Sequence, residues 1–123
     1  MDTAKQLWQQ QLENSTREDV KDNARNHLAS IQVDEDLWTL EFFLGKYEEI
    51  HGAKAAHLEE LVRAGFLKFV PRDPSGVPYQ YDPATGEVHL SPDSKVHYLA
   101  LPYDYRTDFL KSLAALWASR KTG

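Results

Sequence analysis

Between residues 35 and 51 the chain places Leu37, Trp38, Leu40, Phe42, Phe43, Leu44, Tyr47 and Ile50 at helical spacing, so that apolar side chains cover more than half of one helix. Such a surface is unfavourable in water, and the rest of the chain has to wrap it. Asp34 stands where a side chain caps a first helical turn. Gly52 stands where a residue without Cβ closes the last turn in the left-handed conformation. The pattern predicts a buried helical spine with other elements arranged around it.

Two helices are expected before the spine. Thr3 with Gln6 makes a capping-box pattern, and Ala4, Leu7, Trp8 and Leu12 follow at helical spacing, giving a helix over about 3 to 13. Thr16 with Asp19 marks a second start, and Val20, Ala24, His27, Leu28 and Ile31 form a narrow apolar stripe from about 17 to 32. After the spine, Leu58, Leu61 and Val62 face inward on a short helix over about 55 to 64, and Gly65 repeats the closing signal.

Beyond Gly65 the period shortens to two. Phe66 to Val70, Tyr79 to Tyr81 and Val88 to Leu90 read as a three-stranded antiparallel meander. Asp82-Pro83-Ala84-Thr85-Gly86 carries tight-hairpin chemistry, while Pro71, Pro74 and Pro78 stiffen the loop between the first two runs. Ser91 to Pro102 reads as loop, with Val96 to Leu101 as an extra strand or an extended segment. A last helix, about 105 to 120, carries Phe109, Leu110, Leu113, Leu116 and Trp117 on one face, with Arg120 and Lys121 at its negative end. The expected fold class is α+β, a helical bundle whose long central helix packs on a small three-stranded antiparallel meander. The expected organisation is a single domain over 1–123: a helical part at about 1–64, the meander at about 66–91, and a C-terminal loop and helix at 92–123.

A formal net charge of −5 sets the chain against phosphate backbones and anionic lipid surfaces, so no nucleic acid partner is expected. Without Cys there is neither a disulfide framework nor a thiolate nucleophile. No stretch approaches the roughly 18 apolar residues of a membrane span, so no membrane insertion is expected. Residues 1–11 lack the apolar run of a secretory signal. A cytoplasmic setting is expected if Met1 is the native start, and a periplasmic or envelope setting if the chain is excised from a longer one.

Residues 37 to 90 carry a second kind of information. Tyr47 and then Gly52, the Leu58-Glu59-Glu60-Leu61-Val62 helix, Gly65-Phe66-Leu67, and Pro71-Arg72-Asp73-Pro74-Ser75-Gly76-Val77-Pro78-Tyr79-Gln80-Tyr81 stand in that order. This arrangement resembles the soluble part of type II secretion major pseudopilins, whose chains lead a similar Pro-x-Asp-Pro-x-Gly-x-Pro-Tyr segment into a β-hairpin. It is also similar to domains that follow tetratricopeptide-type repeats in bacterial envelope proteins, and the helices before the motif favour that second resemblance. Three departures accompany it: no hydrophobic filament helix precedes the motif, Ser75 stands where an aromatic is usual, and Ala55 replaces a frequent Pro. The resemblance implies an envelope or secretion-related assembly. It carries over no calcium ligand.

The residues themselves give little support to catalysis. His51 and His57 flank a helix break without metal-ligand spacing, and no His-Glu-x-x-His occurs. His27 on an apolar stripe reads as a half-buried core or interface residue. Glu48 with Glu49, and Glu59 with Glu60, diverge by about 100° on their helices and so make poor acid–base pairs; they read as solvated faces. Ser75 lies outside any nucleophile-elbow sequence. Asp73 and Asp82 could hold calcium with backbone carbonyls, but capping the two Pro-containing turns explains them as well. The positive signal is aromatic: Tyr79, Tyr81, Tyr98, Tyr103 and Tyr105 crowd the C-terminal half and form the candidate interaction surface, with hairpin cross-strand pairs covering the helices as the competing role for most of them. Gly52, Gly65, Asp73, Pro74, Gly76, Pro78 and Gly86 are the expected structural motif. The expected function is non-enzymatic, without cofactor or metal: a module or scaffold for a protein partner or self-association. A small-ligand or calcium-binding module is the alternative.

Overall fold

The spine is twice as long as its apolar stretch. In the computed structural model, which describes residues 3–14, 18–99 and 106–122, one helix α2 runs from Glu18 to His51, and its 34 residues extend about 50 Å. The break expected at Asp34 is absent. No Pro or Gly interrupts the sequence from 18 to 44, and Val33 at the supposed junction is buried in the core. Asp34 lies inside the helix rather than before it, and its carboxylate accepts the Tyr98 hydroxyl at 2.6 Å. Gln32 bonds forward to Asp36 at 2.8 Å, and the Thr39 hydroxyl donates back to the Glu35 carbonyl at 2.7 Å, so side chains span the same turns.

Helix α1 (Thr3–Asn14) folds back along the first half of α2. Lys5 pairs with Glu35, whereas Trp8 stacks on His27 at 3.8 Å and packs against Ile31. Partner numbers fall as α1 advances, so the two helices run antiparallel. Past Ile31 the other elements gather on α2: the short α3 (Glu59–Arg63), the strands β1 (Gln80–Asp82) and β2 (Glu87–His89), and α4 (Arg106–Thr122). The core joins Leu40, Phe43 and Leu44 of α2 to Leu61, Tyr79, Val88 and Leu113. Phe109 packs on Trp38 at 5.6 Å between ring centres and Trp117 on Phe43 at 6.2 Å, so α4 rises in the same direction as α2. Leu116 and Ile50, assigned by spacing to apolar faces, stand 61% and 55% exposed.

The sheet is smaller than expected. Among the described residues it has two antiparallel strands, with Gln80 opposite His89, Tyr81 opposite Val88 and Asp82 opposite Glu87. Its turn is closed as the sequence predicts: Asp82 Oδ1 accepts the Ala84 amide at 2.9 Å, and the Gly86 amide donates to the Asp82 carbonyl at 2.7 Å. Residues 66–70 form no third strand because their donors are used elsewhere. The Phe66 and Leu67 amides both turn to the Leu61 carbonyl, at 3.0 and 3.3 Å, finishing α3, and Pro71 has no amide hydrogen to give. A single antiparallel bridge, Arg72 with Pro78, closes the loop that follows. Among the described residues no helix is long and apolar enough to cross a membrane.

Candidate functional site

The loop at 71–78 is organised by Asp73, which is only 4% exposed. Its Oδ1 accepts the Ser75 amide at 2.7 Å, the Ser75 hydroxyl at 2.6 Å and the Val77 amide at 3.1 Å. Its own amide donates to the Val77 carbonyl at 3.0 Å, and its carbonyl accepts the Gly76 amide at 2.8 Å. The turn needs φ = 87° at Gly76, a conformation that a residue with Cβ rarely adopts. Burial by itself raises the Asp73 carboxyl, but the hydroxyls of Ser75 and Ser94 and the amides of Val77 and Ser75 outweigh it and leave the pKa below the usual carboxylate range. The Lys95 amide donates to Ser75 Oγ at 3.2 Å, tying the loop to the next segment.

A second carboxylate fastens this loop to the spine. Tyr79 is buried in the core, and its hydroxyl donates to Asp36 Oδ2 at 2.7 Å, while Gln32 supplies Oδ1. Burial, aided by neighbouring Glu35, pushes Asp36 above the usual carboxylate value against the lowering pull of Tyr79, Gln32 and Lys5. Burial and the same carboxylate hold the Tyr79 phenol far above its ordinary value.

Between the fastened loop and α2 lies a groove of about 520 Å³. Its helical wall is Arg25, Leu28, Ala29 and Gln32, residues three or four apart that share one face, with Asp36 next in line. Phe69, Pro71, Arg72 and Pro74 form the opposite wall. Phe69 is 72% exposed. Arg25 pairs with Asp22 at 2.7 Å on the same helix, where it is half-exposed.

The sequence-predicted tyrosines do not form one surface. Tyr79 is a buried fastening and is corrected from the interaction surface on that ground. Tyr81 is half-buried, with its hydroxyl donating to the Ala55 carbonyl at 2.6 Å. Tyr98 is 46% exposed and bonded to Asp34, with its phenol pushed up to about 12 by burial first and by that carboxylate second. Tyr103 and Tyr105 lie outside the described residues. Gly52, Gly65, Gly76 and Gly86 all have positive φ, Pro74 lines the groove, and Pro78 makes the bridge. Sequence reasoning placed Phe69 inside a strand and so missed the groove. The signal available was Phe69 standing two residues before Pro71, where pairing is hard to continue.

His27 bonds through Nδ1 to the Asn23 carbonyl, His51 stacks on Tyr47, and His89 contacts Glu87. Among the described residues no three acidic or His side chains gather as a metal centre. Compared with protein-family models, with curated proteins and with solved structures, the chain matches none.

Proposed function

We propose that this chain is a non-enzymatic protein-interaction module that seats a partner chain in the groove between α2 and the proline loop. The observation that carries the reading is Phe69, 72% exposed above a wall of Leu28, Ala29, Pro71 and Pro74. A Phe side chain left in water forgoes about 1.5 to 3 kcal/mol of burial, and aromatic anchors at interfaces recover it. The Asp73 turn holds the wall in place beforehand, which lowers the ordering cost of binding. A bacterial envelope or secretion-related setting rests on the resemblance of residues 37 to 90 alone.

A small ligand is the second reading, because a 520 Å³ groove falls inside the roughly 300 to 1,000 Å³ that such molecules occupy. Calcium has less support: Asp73 Oδ1 already accepts three donors and Asp82 Oδ1 accepts the Ala84 amide. A photo-crosslinking residue placed at Phe69, with exposed Thr107 as control, separates these in the native host. Protein adducts from position 69 above those from 107 are expected. Equal yields at the two positions refute the reading.

A further inference from the structure

The wall that carries Phe69 is anchored at both ends. The Phe66 and Leu67 amides hold to the Leu61 carbonyl, and Tyr79 is fastened to Asp36. Between these anchors the Asp73 turn and the bridge of Arg72 with Pro78 make a stiff unit that moves as a whole. Phe69 stands largely in water across the groove from Leu28 and Ala29 of α2. Swinging the unit inward would bury the phenyl ring on that apolar wall, which the hydrophobic effect favours. A restraint has to hold it out.

The segment 91–99 supplies that restraint. Ser91 is buried and opens it with a turn, its Oγ accepting the Asp93 amide at 3.1 Å and its carbonyl the Ser94 amide at 3.0 Å. The Lys95 amide donates to Ser75 Oγ at 3.2 Å and the Ser94 hydroxyl bonds to Asp73, so the segment grips the stiff unit. Farther on, the Leu99 amide donates to Ser30 Oγ at 2.7 Å and the Tyr98 hydroxyl to Asp34 at 2.6 Å. Ser30 is fully buried and is itself fixed by donating to the Asn26 carbonyl at 2.7 Å. These ties to α2 lie away from the groove. At about 100° per residue, Leu28 and Gln32 stand about 160° round the helix from Ser30, and Ala29 about 100°. The segment thus passes round α2 and draws the Asp73 unit back from the groove.

We propose that residues 69–74 are a lid over the groove and that segment 91–99 is the strap that holds it open. With the strap attached, Phe69 stands clear of Leu28 and Ala29. With the strap released, the lid pivots near Leu67 and Tyr79 and the phenyl ring closes on α2. An occupant of the groove needs the same open state that the strap maintains, so each stabilises the other. The device belongs to the fold, and it holds whether a protein segment or a small molecule enters.

Two variants release the lid at different points. Ser75→Ala removes the acceptor of the Lys95 amide. Ser30→Ala combined with Tyr98→Phe removes both ties to α2 and leaves the Asp73 turn untouched, so a loosened turn cannot mimic release. Each change deletes only a hydroxyl oxygen, and both variants are expected to keep the circular dichroism of wild type. Amide exchange at Lys95 in the first and at Leu99 in the second is expected to quicken about fivefold, the equivalent of one net hydrogen bond. Trifluoromethyl-phenylalanine placed at position 69 of the full chain reads ring exposure from the difference in its fluorine resonance between light and heavy water. That difference is expected to be large in the otherwise unchanged chain. In both variants it is expected to fall by about half or more, as for a lid closed at least half the time. A ring still exposed in either variant overturns the lid, and unchanged exchange at Lys95 or Leu99 overturns the strap. A ring already shielded in the otherwise unchanged chain overturns both.

Discussion

Replacing Tyr79 by Phe tests how the loop is fastened to the spine. The ring stays to fill the core, and only the hydroxyl that donates to Asp36 Oδ2 at 2.7 Å is removed. Gln32 still holds Oδ1, so one buried carboxylate oxygen loses its donor. A hydrogen bond to a charged group is worth about 1.5 to 3 kcal/mol. With unfolding entropy near 2.1 cal/mol/K per residue over 123 residues, the melting temperature should fall by about 6 to 12 °C near pH 7. The pH dependence has a definite sign. The folded pKa of Asp36 is raised, so the stability its proton gives is full below the unfolded value of 3.8 and is lost as pH rises through the folded pKa. Tyr79 lowers that folded pKa; without it the value climbs further, and acid restores more stability to the variant than to wild type. Thermal melts by circular dichroism near pH 7 and near pH 4 should show the deficit shrinking in acid. A deficit below about 2 °C at neutral pH, or one equal at both pH values, would refute the argument. Combining Tyr79→Phe with Asp36→Asn should cost less than the sum of the single changes, since the two side chains share one bond.

Asp73→Ala removes the acceptor of three bonds and should cost about 2 to 3 kcal/mol in urea unfolding, with faster amide exchange at Ser75 and Val77. The lowered pKa of Asp73 means that its contribution is present above 3.8 and lost as pH falls through the folded value, so Asp73→Asn should flatten the acid side of the stability profile. Ultraviolet titration should find a tyrosine ionising near 12 that disappears in Tyr98→Phe; its contribution to stability is present below 10 and lost as pH rises toward about 12. Ser30→Ala deprives the Leu99 amide of its acceptor at 2.7 Å, and exchange at Leu99 should accelerate by a factor equivalent to about 1 kcal/mol.

Local signals carried most of the elements. The capping pattern of the first helix, the glycines that close α2 and α3, the Asp82–Gly86 turn and the helix beginning near residue 105 are each specified by residues within a few positions of one another. Two features depended on distant partners instead. Asp34 reads as the side-chain cap of a helix start, but Tyr98 satisfies it in mid-helix from 64 positions away, just as Lys5 and Tyr79 satisfy Glu35 and Asp36 from 30 and 43. Phe66 to Val70 reads as a strand by composition, and the competing claim of the Leu61 carbonyl on its amides is invisible to a periodicity count. The groove was lost with that strand, since Phe69 in a ladder would not stand at its edge.

The unbroken run of α2 also makes the molecule sensitive to rotary phase. An α-helix advances about 100° per residue, and α2 holds α1 through His27, Ile31 and Glu35 while holding the loop, sheet and α4 through Asp36, Leu40 and Phe43. One residue inserted beside Val33 would leave the rod intact yet swing everything downstream by more than a quarter-revolution about the rod. Like two cams keyed to one shaft, the halves keep their timing only while the count of residues between them is unchanged.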